Sequence, residues 1–231
     1  MFAAARPDTL PESLPVSEVS EPVEVADAAA FAALTGASPA AIADLERYRS
    51  YLIEWNAKMN LVGPSTLDVF WSRHAWDSAQ ILPLAPDALT WADLGTGAGL
   101  PGIVLAILAK DRPGFHVHLV ESLTKRCRFL TEVVNGLSLP ATVHDSRAED
   151  LSLTVDIVTA RACAPLTRLM GYAQPYLKRG ATALFLKGQD VASELEDAAS
   201  NWDFDADVLP SLSDSRGKIV RVRRLGRGRK P

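Results

Sequence analysis

Trp91-Ala92-Asp93-Leu94-Gly95-Thr96-Gly97-Ala98-Gly99-Leu100-Pro101-Gly102 is the stretch on which the fold turns. A short apolar run over 89–94 reads as a strand. It passes directly into a glycine-rich turn, and residues 100–110 then read as a helix. Glycines at 95, 97 and 99 remove side chains where a backbone must turn tightly and lie against a ligand. The next expected strand, 115–121, ends in Glu121, nineteen residues after Gly102. An acid at that place can accept hydrogen bonds from both ribose hydroxyls of a nucleoside.

Working outward, strands and helices alternate. Helices are expected over 123–137 (ending at Gly136), 165–177 and 191–199. Strands are expected over 142–144, 155–160 and 181–187, with two final strands over 208–211 and 218–225. Alternation of this kind means βαβ units, an α/β fold with a doubly wound, mostly parallel sheet. Ligands of such sheets bind at the carboxyl ends of the strands, near the switch in strand order. Upstream, Ser38-Pro39 reads as an N-cap with proline in the first turn. Ile42, Leu45, Tyr48, Leu52 and Trp55 form one apolar helical stripe that ends near Gly63-Pro64. Further helices are expected over 67–73 and 74–82. The resulting division is a disordered acidic extension over 1–25, a helical cap over 26–84, a Rossmann-like domain over 85–226 and a basic tail over 227–231.

The chain has 231 residues, 48% of them hydrophobic and 23% charged, which excludes collagen-like and wholly disordered classes. Two cysteines, Cys127 and Cys163, cannot build a disulfide framework and point to a reducing compartment. No apolar run approaches the roughly 18–20 residues of a membrane span, and a cytoplasmic protein is expected. The net charge of −4 hides an asymmetry. The last sixteen residues carry eight bases and no acid, whereas residues 1–27 carry six acids and one base. A basic tail on an acidic body fits a polyanionic partner or a solvated terminus.

Two cofactor classes use a glycine turn of this type. Gly97-Ala98-Gly99-Leu100-Pro101-Gly102 matches the dinucleotide pattern and would suggest NAD. Asp93 argues against it. A carboxylate two residues before the first glycine would face and repel a pyrophosphate, but would attract an ammonium or sulfonium. S-adenosylmethionine carries both cations and a ribose for Glu121.

The chain resembles the RsmG (GidB) family of bacterial methyltransferases, which modify a guanine N7 in 16S ribosomal RNA. The likeness rests on Trp55-Asn56, Met59-Asn60-Leu61, Arg73-His74-x-x-Asp77-Ser78, the string from Asp93 to Ile103, and Glu121-Ser122-x-x-Lys125-Arg126. It continues through Ser146-Arg147-Ala148-Glu149, Ala160-Arg161-Ala162 and Leu186-Lys187-Gly188. The resemblance implies a class I S-adenosylmethionine-dependent methyltransferase fold. Asp93, Gly95, Gly97, Gly99, Leu100, Glu121, Ala148, Glu149 and Arg161 would hold the cofactor. Asn60, Arg73, His74, Asp77 and Lys187 would face the RNA. The expected partner is 16S ribosomal RNA or the small ribosomal subunit, met by a monomer with no membrane contact. An alternative is methyl transfer to a small molecule or a protein with the same cofactor.

Guanine N7 has a free lone pair and carries no proton, so no general base is needed and no catalytic residue is assigned. Arg161 is expected to position rather than to exchange protons. Cys163 lacks the Pro-Cys context of a cytosine C5 enzyme and is expected as a small buried hydrophobe. No Asn/Asp-Pro-Pro-aromatic run of adenine N6 enzymes is present. His116 and His118 lie two apart on one strand, with no zinc spacing, and no metal is expected. Lys125, Arg126 and Arg128 read as a solvated helix face or an RNA contact.

Overall fold

A computed structural model of the chain describes residues 21–151 and 153–228. The expected disordered extension lies outside these residues up to position 20, as does the tail beyond 228. The stretch from 21 to 25 is attached to the fold. Val25 is buried, and the Val23 amide donates to the Leu212 carbonyl at 2.9 Å.

The cap opens with α1 (Ala28–Thr35), a helix with no clear apolar period to announce it. It is held at its start by the Asp27 carboxylate, which accepts from the Ala30 amide at 2.8 Å, and it ends at Gly36 with φ 71°. Helix α2 (Pro39–Asn56) starts at the expected Ser38 cap and buries Leu45, Tyr48 and Leu52 of the stripe. The two helices expected over 67–73 and 74–82 are replaced by another arrangement. A 3-10 turn at Pro64–Thr66 leads to a π-helix at Trp71–Trp76, which continues into α3 (Asp77–Ala79). No breaker stands between Arg73 and His74, so the chain keeps winding. The wide turn buries Trp71, His74, Ala75 and Trp76 together, and such turns recur at functional sites.

The remaining elements are β1 (Thr90–Leu94), α4 (Gly102–Leu108), β2 (His116–Glu121), α5 (Thr124–Leu137), β3 (Ala141–Asp145) and β4 (Ile157–Arg161). They are followed by α6 (Leu166–Leu177), β5 (Thr182–Lys187), α7 (Val191–Ala199), β6 (Trp202–Pro210) and β7 (Lys218–Arg227). The seven strands order as β3-β2-β1-β4-β5-β7-β6, parallel from β3 to β5, with β7 antiparallel to both its neighbours. The switch point lies between β1 and β4. Helix α4 begins at Gly102 rather than 100, because the Gly99 and Leu100 amides both bond the Thr96 carbonyl and so belong to the turn. Helix α5 runs one residue past Gly136, to a left-handed Ser138. Gly136 instead permits helix packing: a Cβ there would lie 2.3 Å from the Tyr51 hydroxyl on α2.

One face of the sheet buries Trp91, Ile103 and Phe129 under the cap, α4 and α5. The other buries Leu94, Leu169 and Phe185 under α6 and α7. Strand β6 begins six residues before the expected 208, as its alternating acids conceal a strand that pairs by charge. Asp207 binds Arg221 and Arg223, and Asp203 binds Arg224. Much of the C-terminal basic charge is therefore matched within the sheet. No described helix is long and apolar enough to cross a membrane.

Candidate cofactor and substrate site

The carboxyl ends of β1 to β5 converge on one edge, and the glycine turn sits at its centre. Gly95, Gly97 and Gly99 have φ values of 64°, 58° and 90°, a region that only glycine enters freely. A Cβ on Gly99 would lie 2.4 Å from Ile103 Cγ1, and one on Gly95 3.0 Å from Cys163 Cβ. On Gly97 it would meet nothing in the protein closer than 3.8 Å. Gly95 and Gly99 thus serve packing, and Gly97 keeps space open. From the cap, the buried Tyr48 hydroxyl donates to the Ala98 carbonyl at 2.6 Å and pins the turn from above. Burial raises the Tyr48 phenol pKa well above its ordinary value.

Asp93 stands differently from the expectation. Its carboxylate is fully buried and does not line the cavity. Oδ2 accepts from Thr96 Oγ1 at 2.5 Å and from the Gly102 amide at 2.8 Å. Oδ1 has no partner, and burial pushes the group up to about 7. Strand alternation turns Asp93 under α4, so it braces the turn instead of facing a ligand, and the electrostatic case built on its facing the donor does not hold. Glu121 does reach the cavity. Its Oε1 accepts from the Ser122 and Leu123 amides at 2.8 and 2.9 Å, and its Oε2 from the Gly97 amide at 3.1 Å. Arg126 lies 3.5 Å from Oε2. Arg126 is therefore a wall of the site, not a solvated face.

The cavity along this edge holds about 560 Å³. The turn from Gly95 to Ala98, together with Leu100, forms its floor, and Glu121 stands at one side. Ser146 to Glu149 close one end, and Arg161 to Cys163 the other. The buried Ala148 offers backbone, and Glu149 is exposed and pairs with Arg147 at 3.9 Å. A floor of bare backbone with an acid bonded at its edge suits an adenosine-bearing ligand. Cys163 is exposed on this wall, not buried as expected. Burial of its thiol against the turn, with Asp93 nearby, still pushes it up to about 11, so it is not a thiolate nucleophile at neutral pH.

A second cavity of about 460 Å³ lies beside the first and shares Val62, Arg161 and Ala162 with it. Arg73, Arg216 and Lys218 add positive charge, and Asp214 a negative one. At the junction Arg161 is held on three sides. Its Nη1 donates to Asp77 Oδ2 at 2.8 Å and to the Arg73 carbonyl at 2.9 Å, and Nη2 lies 3.2 Å from His74 Nδ1. A guanidinium only donates, so His74 Nδ1 accepts. Its Nε2 then carries the proton, facing Thr66 Oγ1 at 2.8 Å. Burial and then Arg161 lower His74 to about 4, which keeps the ring neutral for this role.

Of the residues expected to face RNA, Arg73, His74, Asp77 and Lys187 line this second cavity. The Lys187 ammonium is committed, however, to Glu194 at 2.7 Å and the Ala164 carbonyl at 3.1 Å. Asn60 lines neither cavity. Asn56, quoted for the resemblance but given no role, orders the segment instead. Its Oδ1 accepts from the Leu61 and Val62 amides at 2.8 and 3.0 Å, which brings both side chains to the cofactor cleft. An Asn followed by a Gly-Pro break was the available signal for such a turn. His118 Nδ1 meets His144 Nε2 at 3.0 Å, and His116 Nε2 meets Thr142 Oγ1 at 2.9 Å. Among the described residues no group of three or more His, Cys, Asp or Glu side chains could hold a metal.

Fold and cleft together define a class I S-adenosylmethionine-dependent methyltransferase. Two solved structures show the same fold. An S-adenosylmethionine-dependent methyltransferase from Aquifex aeolicus has TM-score 0.52 and 18% identity, over 75% of this chain and 97% of that one. A variant of MtNAS in complex with S-adenosylmethionine has TM-score 0.51 and 17% identity, over 85% and 83%. The family model described as rRNA small subunit methyltransferase G matches residues 41–220, and the chain belongs to that family, GidB. Proteins named ribosomal RNA small subunit methyltransferase G are 63% identical in a Caulobacter species and 61% in Caulobacter vibrioides. The first match covers 92% of this chain and 96% of the relative, and the second 90% and 96%.

Proposed function

We propose that the protein transfers the methyl group of S-adenosylmethionine to N7 of a guanine in 16S ribosomal RNA, on the RNA or on the small ribosomal subunit. The observation that carries this reading is the pair of adjoining cavities. One has the glycine floor and Glu121, the other a basic wall, and Arg161 stands between them. The cofactor, once bound, supplies an activated methyl on a sulfonium. In this reading Gly95, Gly97 and Leu100 support the methionine end, and Glu121 takes the ribose hydroxyls. Ala148 and Glu149 border the adenine, and Gly99 and Asp93 act by shaping the turn. The target nucleotide occupies the second cavity, with Arg73, Arg216 and Lys218 toward phosphate.

The chain's own groups suit a reaction that moves no proton before attack. At the junction His74 is neutral and has given its lone pair to Arg161, and Asp77 is saturated by Arg161, Gln80 and Ser213. Neither is free to act as a base. The work left is alignment of nucleophile and methyl, which can lower a barrier by about 7–11 kcal/mol at best. Asp77 also offsets the Arg161 charge beside a product ring that becomes cationic.

The test is incubation with labelled cofactor and purified small subunits, followed by nucleoside mapping of the RNA. Label in 7-methylguanosine is expected. Label in protein alone, or in another nucleoside, removes the proposal.

A further inference from the structure

Gln80 lies in the cap just after α3, is 3% exposed, and stands in the wall of the second cavity but not of the first. Its side chain is the centre of a polar network. Oε1 accepts from the Leu212 amide at 2.7 Å and from Ser211 Oγ at 3.3 Å. Nε2, which has two hydrogens to share among them, faces four acceptors: Ser213 Oγ and the Asp77 carbonyl at 3.0 Å, Ser211 Oγ at 3.1 Å and Asp77 Oδ1 at 3.2 Å. Ser213 Oγ donates to the same Asp77 oxygen at 2.6 Å, and the Trp76 indole reaches the Leu212 carbonyl at 3.0 Å. The opposite oxygen of Asp77 holds Arg161. The segment clasped by Gln80, between β6 and β7, carries Asp214, Arg216 and Gly217 into the wall of the second cavity.

We propose that Gln80 is a positioning residue for methyl transfer: it clamps the 211–217 segment to the cap and orients Asp77 so that Arg161 is fixed at the junction of the two cavities. The proposal rests on the reading of that junction as the place where cofactor and target meet. An apolar residue at 80 could fill the space but could not orient a carboxylate. An amide can, because it accepts from the loop backbone while donating to Asp77.

The discriminating variant is Gln80→Glu. It keeps the shape and the acceptor for Leu212, but sets an oxygen against the Asp77 carboxylate in place of the donor. When ionised, the introduced carboxyl repels Asp77; when protonated, it restores a donor. Relative to wild type at each pH, kcat on small subunits is expected to fall about tenfold or more near pH 8 and to recover as the pH is lowered toward about 6. Affinity for S-adenosylhomocysteine should stay within about twofold, because the cofactor cavity is not touched. A residue that only supports the fold would lower both together and show no acid rescue. A second readout needs no substrate: hydrogen exchange of residues 211–213, again relative to wild type at the same pH, should quicken in the variant near pH 8 and return toward wild type near pH 6. Wild-type kcat with wild-type exchange overturns the proposal, and so does a parallel loss of cofactor affinity and kcat. Wild-type enzyme that leaves small-subunit RNA unlabelled overturns the substrate reading instead, and the exchange experiment then decides the clamp alone.

Discussion

Replacing Glu121 by Gln removes one oxygen and adds one amino group at a site where every contact is a donor. The carboxylate accepts three backbone amides, from Gly97, Ser122 and Leu123. The better orientation of the new amide leaves its carbonyl on Ser122 and Leu123, and points its NH2 at the Gly97 amide and at Arg126. One backbone donor is then buried against another donor; the flipped orientation strands two. An unsatisfied buried donor costs about 1–3 kcal/mol, so Glu121→Gln should lower unfolding free energy by about that amount. The remaining carbonyl is already committed to two amides and has little capacity left for ribose hydroxyls. Affinity for S-adenosylhomocysteine should fall about 10- to 100-fold, since each 1.4 kcal/mol is about tenfold. Urea unfolding and titration calorimetry on the same preparation give both numbers. A variant of wild-type stability would refute the described amide cluster. A variant that is destabilised but binds as wild type would show that Glu121 braces the turn without holding ribose.

Gly97→Ala should separate ligand space from protein packing: its Cβ meets no protein atom closer than 3.8 Å, so the fold loses only the left-handed strain of about 1–2 kcal/mol. Cofactor affinity should fall by more than that strain accounts for, and unchanged affinity by calorimetry would place the ligand elsewhere. Gly99→Ala, whose Cβ would lie 2.4 Å from Ile103 Cγ1, should be the less stable of the two in thermal melts, and the reverse order would contradict the turn geometry. Tyr48→Phe should cost about 1 kcal/mol by leaving the Ala98 carbonyl without its donor, visible as a lower melting temperature. Stability should fall as pH drops from about 6.5 toward 4. His74 and His118 are held to about 4, so the unfolded chain takes up protons that the folded one refuses. Asp93, raised to about 7, works the other way and loses its contribution as pH rises through that value. Asp93→Asn should therefore remove a loss of stability between about pH 4 and 8 and steepen the net gain, as denaturant titrations across pH would show.

Much of the sheet was legible because parallel strands buried on both faces are short apolar runs, and the glycine turn located the first of them. The elements that escaped lack that contrast. Helix α1 is alanine-rich all round, and its start is encoded by Asp27 and its end by Gly36 rather than by a stripe. The first half of β6 hides behind Asp203, Asp205 and Asp207, residues that disfavour strands until Arg221, Arg223 and Arg224 stand opposite. The same pairing takes up Arg221, Arg223 and Arg224 of the basic terminus: charge counted along the chain says nothing of charge matched across a ladder.

At the site, residue types were readable and directions were not. Asp93 and Glu121 are both acids at strand ends, yet one turns beneath α4 and the other opens to the cavity. Alternation along β1 decides it. Trp91 and Asp93 share the face that meets the cap and α4, while Ala92 and Leu94 share the opposite core. An acid on that face, three residues before Thr96 and nine before Gly102, is placed to hold a turn together. A side chain that opens to the cleft ends its strand, so that no further residue folds over it. Glu121 meets that condition as the last residue of β2, and Arg161 as the last of β4. Lys187, which also ends its strand, lines the second cavity, and Glu194 on the succeeding helix holds its ammonium there. Strand-end position therefore admits a side chain to the cleft, and the opposite charge beside it, Asp77 for Arg161 and Glu194 for Lys187, fixes where it is held.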